Sequence, residues 1–330
     1  MATQSVPAPA VDRPSLFAHL PPVAALGPVF ALLLACVFFT SQSDRFLTGQ
    51  NFSLILQQVM VVGVIAIGQT LVILTAGIDL SCGMIMALGS IVMTKFAVDL
   101  GLNPYLAIFC GLMVCMAFGF LNGALITFVK LPPFIVTLGT LNIAFAITQI
   151  YSQSQTVSGL PDAMVFLGNT FHIGQTAVTY GTVAMLALYF LVWYILRETA
   201  PGRHIYAMGN NPEATRLMGI ETRRLLLLIY TIAGLIYGIA AVMAIARTGV
   251  GDPQAGQTDN LDSITAVVLG GTSLFGGRGM ILGTLIGALI VGVFRNGLTL
   301  MGVASVYQVL VTGILVILAV TTDQMSRRKG

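Results

Sequence analysis

The chain has 330 residues, of which 56% are apolar and only 8% charged, with a net charge of +3 and a mean hydropathy of +0.92. A soluble domain carries about 25% charged residues, so a soluble protein is excluded. The alternation of a transmembrane barrel is absent too. The sequence reads as an all-α, polytopic membrane protein, and nothing in it points to a nucleic-acid partner.

Residues 1–22, rich in Pro and Ala, read as a disordered N-terminus. The apolar run 23–40 is long for a secretory signal and lacks a small-x-small cleavage site, so it reads as a retained first span. About 20 apolar residues cross a bilayer. By that measure nine more spans follow, at about 52–74, 80–98, 104–129, 134–151, 178–196, 224–246, 262–276, 280–300 and 303–321, the eighth of the ten being short. Residues 23–322 thus form a transmembrane domain, and 323–330 a basic tail. Lys130-Leu131-Pro132-Pro133 ends span four, because proline cannot continue a helix. The four cysteines, Cys36, Cys82, Cys110 and Cys115, all lie in apolar stretches and form no CxxC pair. They read as buried thiols. His172 has no second ligand nearby, so no metal site is expected.

Ten spans place both termini on one side. If that side is the cytoplasm, it holds eleven of the Lys and Arg residues, and the outer side holds four: Arg45, Lys95, Arg247 and Arg295. The positive-inside rule asks for this asymmetry. Two loops stand out, an almost uncharged outer one at 152–177 and an ion-rich inner one at 197–223.

Between Arg45 and Asp79 lie 33 residues without a charge. Asp79 then appears within TAGIDLSCG, flanked by Gly77 and Gly83. An acid inside a membrane segment marks a functional site by default. However, Leu54 to Leu74 already spans about one bilayer at 1.5 Å per residue, which favours a helix break near the inner face. Asp79 or Ser81 then caps span three, or Asp79 pairs with an arginine. The remaining reading is a break at depth that lines a pathway, which is tolerated only where protein or water covers it. GTSLFGGRG resembles a second copy: Gly77, Leu80, Gly83 and Gly89 align with Gly271, Leu274, Gly277 and Gly283 at one offset. On that alignment Arg278 and Asp79 share a side and could pair. Gly77, Asp79, Ser81, Gly271, Ser273 and Arg278 are therefore pathway or gating candidates. Asn122, Thr140 and Asn142, polar residues inside spans, join them.

The inner loop contains NNPEATRLMG. Asn211 suits an N-cap, Pro212 the first helical position, Glu213 the positive end of the dipole, and Gly219 the left-handed residue past the C-terminus. Two turns are unstable in isolation. Such a helix either lies along the bilayer, with Leu217, Met218 and Ile220 dipping in, or docks on a cytoplasmic subunit.

Glu213-Ala214-Thr215-x-x-x-Gly219 resembles the EAA-x-x-x-G core of ATP-binding-cassette importer permeases, with Thr for the second Ala. LVILTAGIDLSCG, NGALITFVKLPPFIVTLGTL, GRHIYAMGNNPEATRLMGI and LGGTSLFGGRG, in that order, extend the resemblance. Together they are similar to the ribose/xylose-type sugar permeases from about residue 45 to 322. Departures are Ala76 where the family usually has Gly, Cys82 where it has Val, and Arg295 where Asn is frequent. The resemblance implies a bacterial inner-membrane permease, paired as a homodimer around a central pathway. Asn211 to Thr215, Leu217 and Gly219 then form a helix that couples to a cytoplasmic ATPase subunit, and a periplasmic sugar-binding protein docks on the outer face. No G-x-x-x-x-G-K-[ST] loop is present, so ATP and Mg belong to the partner ATPase. This chain is expected to bind no cofactor and to be no enzyme. The rival class is an ion-coupled secondary transporter using Asp79. Within the permease class, a nucleoside, an autoinducer or a branched-chain amino acid stands as an alternative to a pentose or hexose.

Overall fold

The structure, a computed structural model, describes residues 23–328. The expected disorder of residues 1–22 lies outside them. The helices are α1 (Val23–Gln42), α2 (Gly49–Leu74), α3 (Cys82–Val98), α4 (Pro104–Ala124), α5 (Pro133–Ser152), the single turn α6 (Asp162–Val165) and α7 (Tyr180–Glu198). Then come α8 (Ala200–Asn210), α9 (Pro212–Leu217), α10 (Thr222–Thr248), α11 (Asp259–Leu269), α12 (Ile281–Leu300) and α13 (Ser305–Arg328). A five-residue π-helical turn, Leu125–Val129, extends α4. Lys130 leaves it at φ +62°, and the two prolines then open α5.

Among the described residues, six helices are long and apolar enough to cross a membrane: α2, α4 with its π turn, α5, α7, α10 and α12. Shorter apolar stretches occur in α1, α3 and α13. The eighth expected span, 262–276, is no continuous helix. Its helical part, α11, has 11 residues, about 16 Å or half a hydrocarbon core, and the chain from 270 to 280 is irregular. Three further elements depart from expectation. The outer loop folds into a small antiparallel hairpin, β1 (Thr170–Ile173) paired with β2 (Thr176–Thr179). The inner loop contains a second helix, α8, started by Pro201 and capped by the Thr199 hydroxyl. The expected basic tail from 323 continues α13 as far as Arg328.

Burial explains the architecture. Every residue of α2 from Val59 to Leu74, and of α3 from Cys82 to Thr94, is buried. A helix that is apolar all round belongs in the interior of a bundle, and these two form it. α10 packs on α2, α3 and α4, while α12 packs on α1, α2 and α11. Small residues permit the closest approaches: Gly119 meets Gly234 across α4 and α10, and Gly287 meets the Ala266 carbonyl across α12 and α11. Close packing of this kind holds helices together where lipid removes the hydrophobic driving force. The outer faces of α1, α4, α5, α7 and α13 instead expose large apolar side chains such as Phe30, Phe109, Ile150, Phe190 and Ile317. Over such a wide surface they suit contact with hydrocarbon.

Candidate functional site

Three features are connected by direct contacts. The first is α9. The Asn211 Oδ1 accepts from the amides of Glu213 (3.1 Å) and Ala214 (2.9 Å), satisfying two donors at the open N-terminus. Thr215 is buried, and its hydroxyl donates to the Asn211 carbonyl at 2.8 Å. Gly219, at φ +86°, closes the helix: its amide donates to Arg216 and that of Ile220 to Thr215. Glu213, Ala214, Leu217 and Met218 are exposed, Leu217 by 78%.

The second feature consists of two breaks. Ala76 stands at φ +60°, its amide donating to the Ile73 carbonyl and that of Gly77 to Val72. Gly271 stands at φ +85°, its amide donating to Val268 and that of Thr272 to Val267. This is one helix stop used twice. The structural correspondence is Ala76 with Gly271, one residue out of register from the alignment that matched Gly77 with Gly271.

After the first stop the chain turns back into the bundle. Gly77 lies against the Tyr230 hydroxyl, and Asp79 lies beside that of Tyr237. The two tyrosines are seven residues apart on α10, about 10 Å along its axis, so the segment climbs away from the end of α2. Asp79 is 1% exposed. Its Oδ1 accepts from the Ser81 amide (2.8 Å) and the Ser81 hydroxyl (2.5 Å). The Ser81 hydroxyl also accepts from Asn122 Nδ2 at 3.0 Å, and the Ile78 carbonyl accepts from Thr137 at 3.2 Å. Asp79 is therefore buried inside the bundle, away from the end of α2. The Ser81 side chain makes no cap bond to α3, and Asp79 forms no ion pair among the described residues. Arg278 is exposed, so the suggested Asp79–Arg278 pair is absent. Length arithmetic placed the break correctly at Thr75 but could not reveal the reversal that follows.

Of the other candidates, Asn122 joins this polar centre. Thr140 is buried but bonds within its own helix to Val136, and Asn142 is exposed, bonding to Leu138. Ser273 is buried in the second break, where its amide donates to the Arg278 carbonyl at 2.9 Å. Tyr230 and Tyr237 were missed. Their spacing puts them on one face of α10, a signal that was readable in the sequence.

The third feature joins the other two. The Gly277 amide donates to the Leu74 carbonyl at 2.9 Å, tying the second break to the end of α2. Gly209, near the end of α8, sits so close to the Leu74 carbonyl and the Gly277 amide that a Cβ there would overlap both. Gly277 in turn lies against Asn210. One residue separates Asn210 from α9. The end of α8, one residue before α9, thus contacts the end of α2 and the second break together.

At the opposite end of the bundle, a cavity of about 370 Å³ opens between α2, α3, α10, α12 and the 249–258 connection. The Arg295 Nη1 meets Asp262 at 2.8 Å and Asp259 at 3.9 Å above it. Sequence reading marked Arg295 only as unusual. It did not connect it with two acids one helical turn apart.

Residues 51–320 match the family described as the permease component of a branched-chain amino acid transport system. The chain belongs to this permease family. It is 46% identical over 318 residues to the fructose import permease protein FrcC of Rhizobium meliloti, covering 94% of this chain and 88% of that protein. With the ribose import permease protein RbsC of Bacillus subtilis it shares 40% identity, covering 91% and 92%. The D-allose transport system permease protein AlsC of Escherichia coli is 36% identical, with 91% of each chain covered. The resemblance to sugar-import permeases thus holds across nearly the whole chain, and the protein is a multi-pass inner-membrane permease. An ion-coupled secondary transporter would be a different class of protein.

Proposed function

We propose that this chain is the membrane-spanning subunit of an ATP-driven importer for a monosaccharide, a pentose or hexose delivered by a periplasmic binding protein. The sugar-import relatives support the substrate class. The observation that carries the mechanism is α9. It is a capped two-turn helix that presents Glu213, Leu217 and Met218 to the exterior, while its preceding residues are wedged against both breaks. A helix this short needs a partner to hold its exposed face, and an ATPase subunit carrying ATP and Mg supplies one.

On this reading the α9 end of the bundle is cytoplasmic, as the charge asymmetry favours. Closure of the ATPase pair shifts α9. Asn210 and Gly209 pass that shift to Leu74 and Gly277, and the two breaks adjust the helices that follow them. A second copy of the permease completes the pathway. Selection among sugars then rests mainly on the binding protein, since a pathway that held its cargo tightly would release it slowly.

The Glu213→Arg variant tests the docking role. Glu213 is exposed and its side chain makes no ion pair among the described residues, so the variant should express, insert and self-associate normally. It should lose ATPase co-purification. Normal co-purification would refute the assignment of α9.

A further inference from the structure

The cavity remote from α9 has no part in the coupling path described above, and its lining is unusual for a membrane protein interior. Its lining combines apolar side chains, among them Val61, Val62, Met86 and Val291, with polar and charged ones. Arg247 and Arg295 share the lining with Asp252 and Asp259, so no excess positive charge is present to favour an anion. Four glutamines, Gln58, Gln254, Gln257 and Gln308, add amide donors and acceptors. The size is within the range of small-molecule sites, about 300–1,000 Å³.

Two of these groups are left incompletely used. The Gln58 Oε1 is buried and has no hydrogen-bond partner among the described residues, and a buried acceptor in that state needs an explanation. Asp259 meets Arg295 only at 3.9 Å, beyond hydrogen-bond distance, because that guanidinium is committed to Asp262 at 2.8 Å and reaches Thr258 at 3.4 Å. An uncharged ligand with several hydroxyls satisfies both acceptors at once and accepts from Arg247, which lies near Asp259 and Arg295. We propose that this cavity is a low-affinity monosaccharide site within a single permease chain, with Gln58, Arg247, Gln254, Gln257 and Asp259 as its hydroxyl-binding groups.

The proposal rests on the sugar-import reading. The lining contains no aromatic ring on which a sugar face could stack, so affinity in the millimolar range is expected. That suits a transit point, where binding must be favourable enough to enter and weak enough to leave.

The test uses the full chain alone in lipid nanodiscs, with saturation-transfer NMR of D-ribose, D-fructose, D-allose and D-galactose, and L-leucine as the contrasting probe. At least one sugar should receive saturation in the millimolar range. The Gln254→Ala/Gln257→Ala double variant should weaken it about tenfold or more, close to 1.4 kcal/mol. Both glutamines are exposed, so an unchanged melting temperature is expected and shows that the fold survives. Gln58→Leu should weaken the same sugar. Absence of sugar signal, a signal unchanged in both variants, or saturation of L-leucine in place of the sugars would overturn the proposal. No ATPase is present in this experiment, so its outcome is independent of the co-purification that tests α9.

Discussion

The two breaks stop their helices with the same hydrogen bonds and then diverge. After Ala76 the chain re-enters the bundle and buries a carboxylate among Ser81, Asn122 and two tyrosines. After Gly271 it stays at the α9 end, where Gly276 and Gly277 lie against Ala76, Gly209 and Asn210. One break is built from polar side chains bonded inside the core, the other from glycines in close backbone contact. The first is suited to hold a fixed arrangement, and the second to receive a push. The bond from Gly277 to Leu74 and the contact of Gly276 with Ala76 tie the two together.

The largest effect is expected where the breaks touch. Gly209→Val places side-chain atoms on the Leu74 carbonyl and the Gly277 amide, and backbone cannot rotate away as a flexible side chain would. A loss of about 3 kcal/mol is expected, with transport abolished, measured by thermal unfolding in detergent and by uptake in cells. A stable, active Gly209→Val protein would mean that the breaks are not joined at this point.

Next comes the polar centre. Asp79→Ala strips an acceptor from both the Ser81 amide and hydroxyl and should cost about 3 kcal/mol. Asp79→Asn retains an oxygen at the same place and should cost about 1 kcal/mol, with uptake partly reduced. Complete loss of uptake by a stably assembled Asp79→Asn protein would show that the charge itself is required and would separate the first break further from the second.

The smallest effects sharpen the comparison of the two stops. No neighbour lies within 4 Å of a Cβ at Gly271, so Gly271→Ala tests backbone strain alone, and a loss of about 1 kcal/mol is expected. Ala76 already bears that strain. Ala76→Gly relieves it, but glycine's greater freedom in the unfolded chain offsets part of the gain, leaving about 0.5 kcal/mol of stabilisation. Opposite signs in the two melting temperatures are the expected result. Equal signs would mean that the stops are not equivalent.

Much of this organisation is legible in the residues, and the illegible parts share a cause. The end of α2 at Leu74, the caps of α9 and the proline stop after Lys130 follow from local chemistry, and each is where the sequence puts it. The helix α8 escapes because Gly202 and Gly209 lower its helical propensity and because its stability comes from packing, Gly209 on Leu74 above all. The reversal at Gly77 escapes because only contacts with distant Tyr230 and Asn122 make it favourable. The one-residue shift between the two breaks shows the same limit. Glycines align readily by letter, whereas Ala76 and Gly271 are equivalent by conformation. Arg295 lies 33 residues from Asp262 in sequence and joins it and Asp259 in a cluster only when α11 packs on α12.

The central claim is that α9 couples this permease to an ATPase. The most direct measurement is to purify the chain from its native membrane in mild detergent and identify by mass spectrometry what accompanies it. A stoichiometric ATPase carrying a G-x-x-x-x-G-K-[ST] loop is the predicted result. A chain that purifies alone, and moves sugar along an ion gradient in liposomes, would contradict the account.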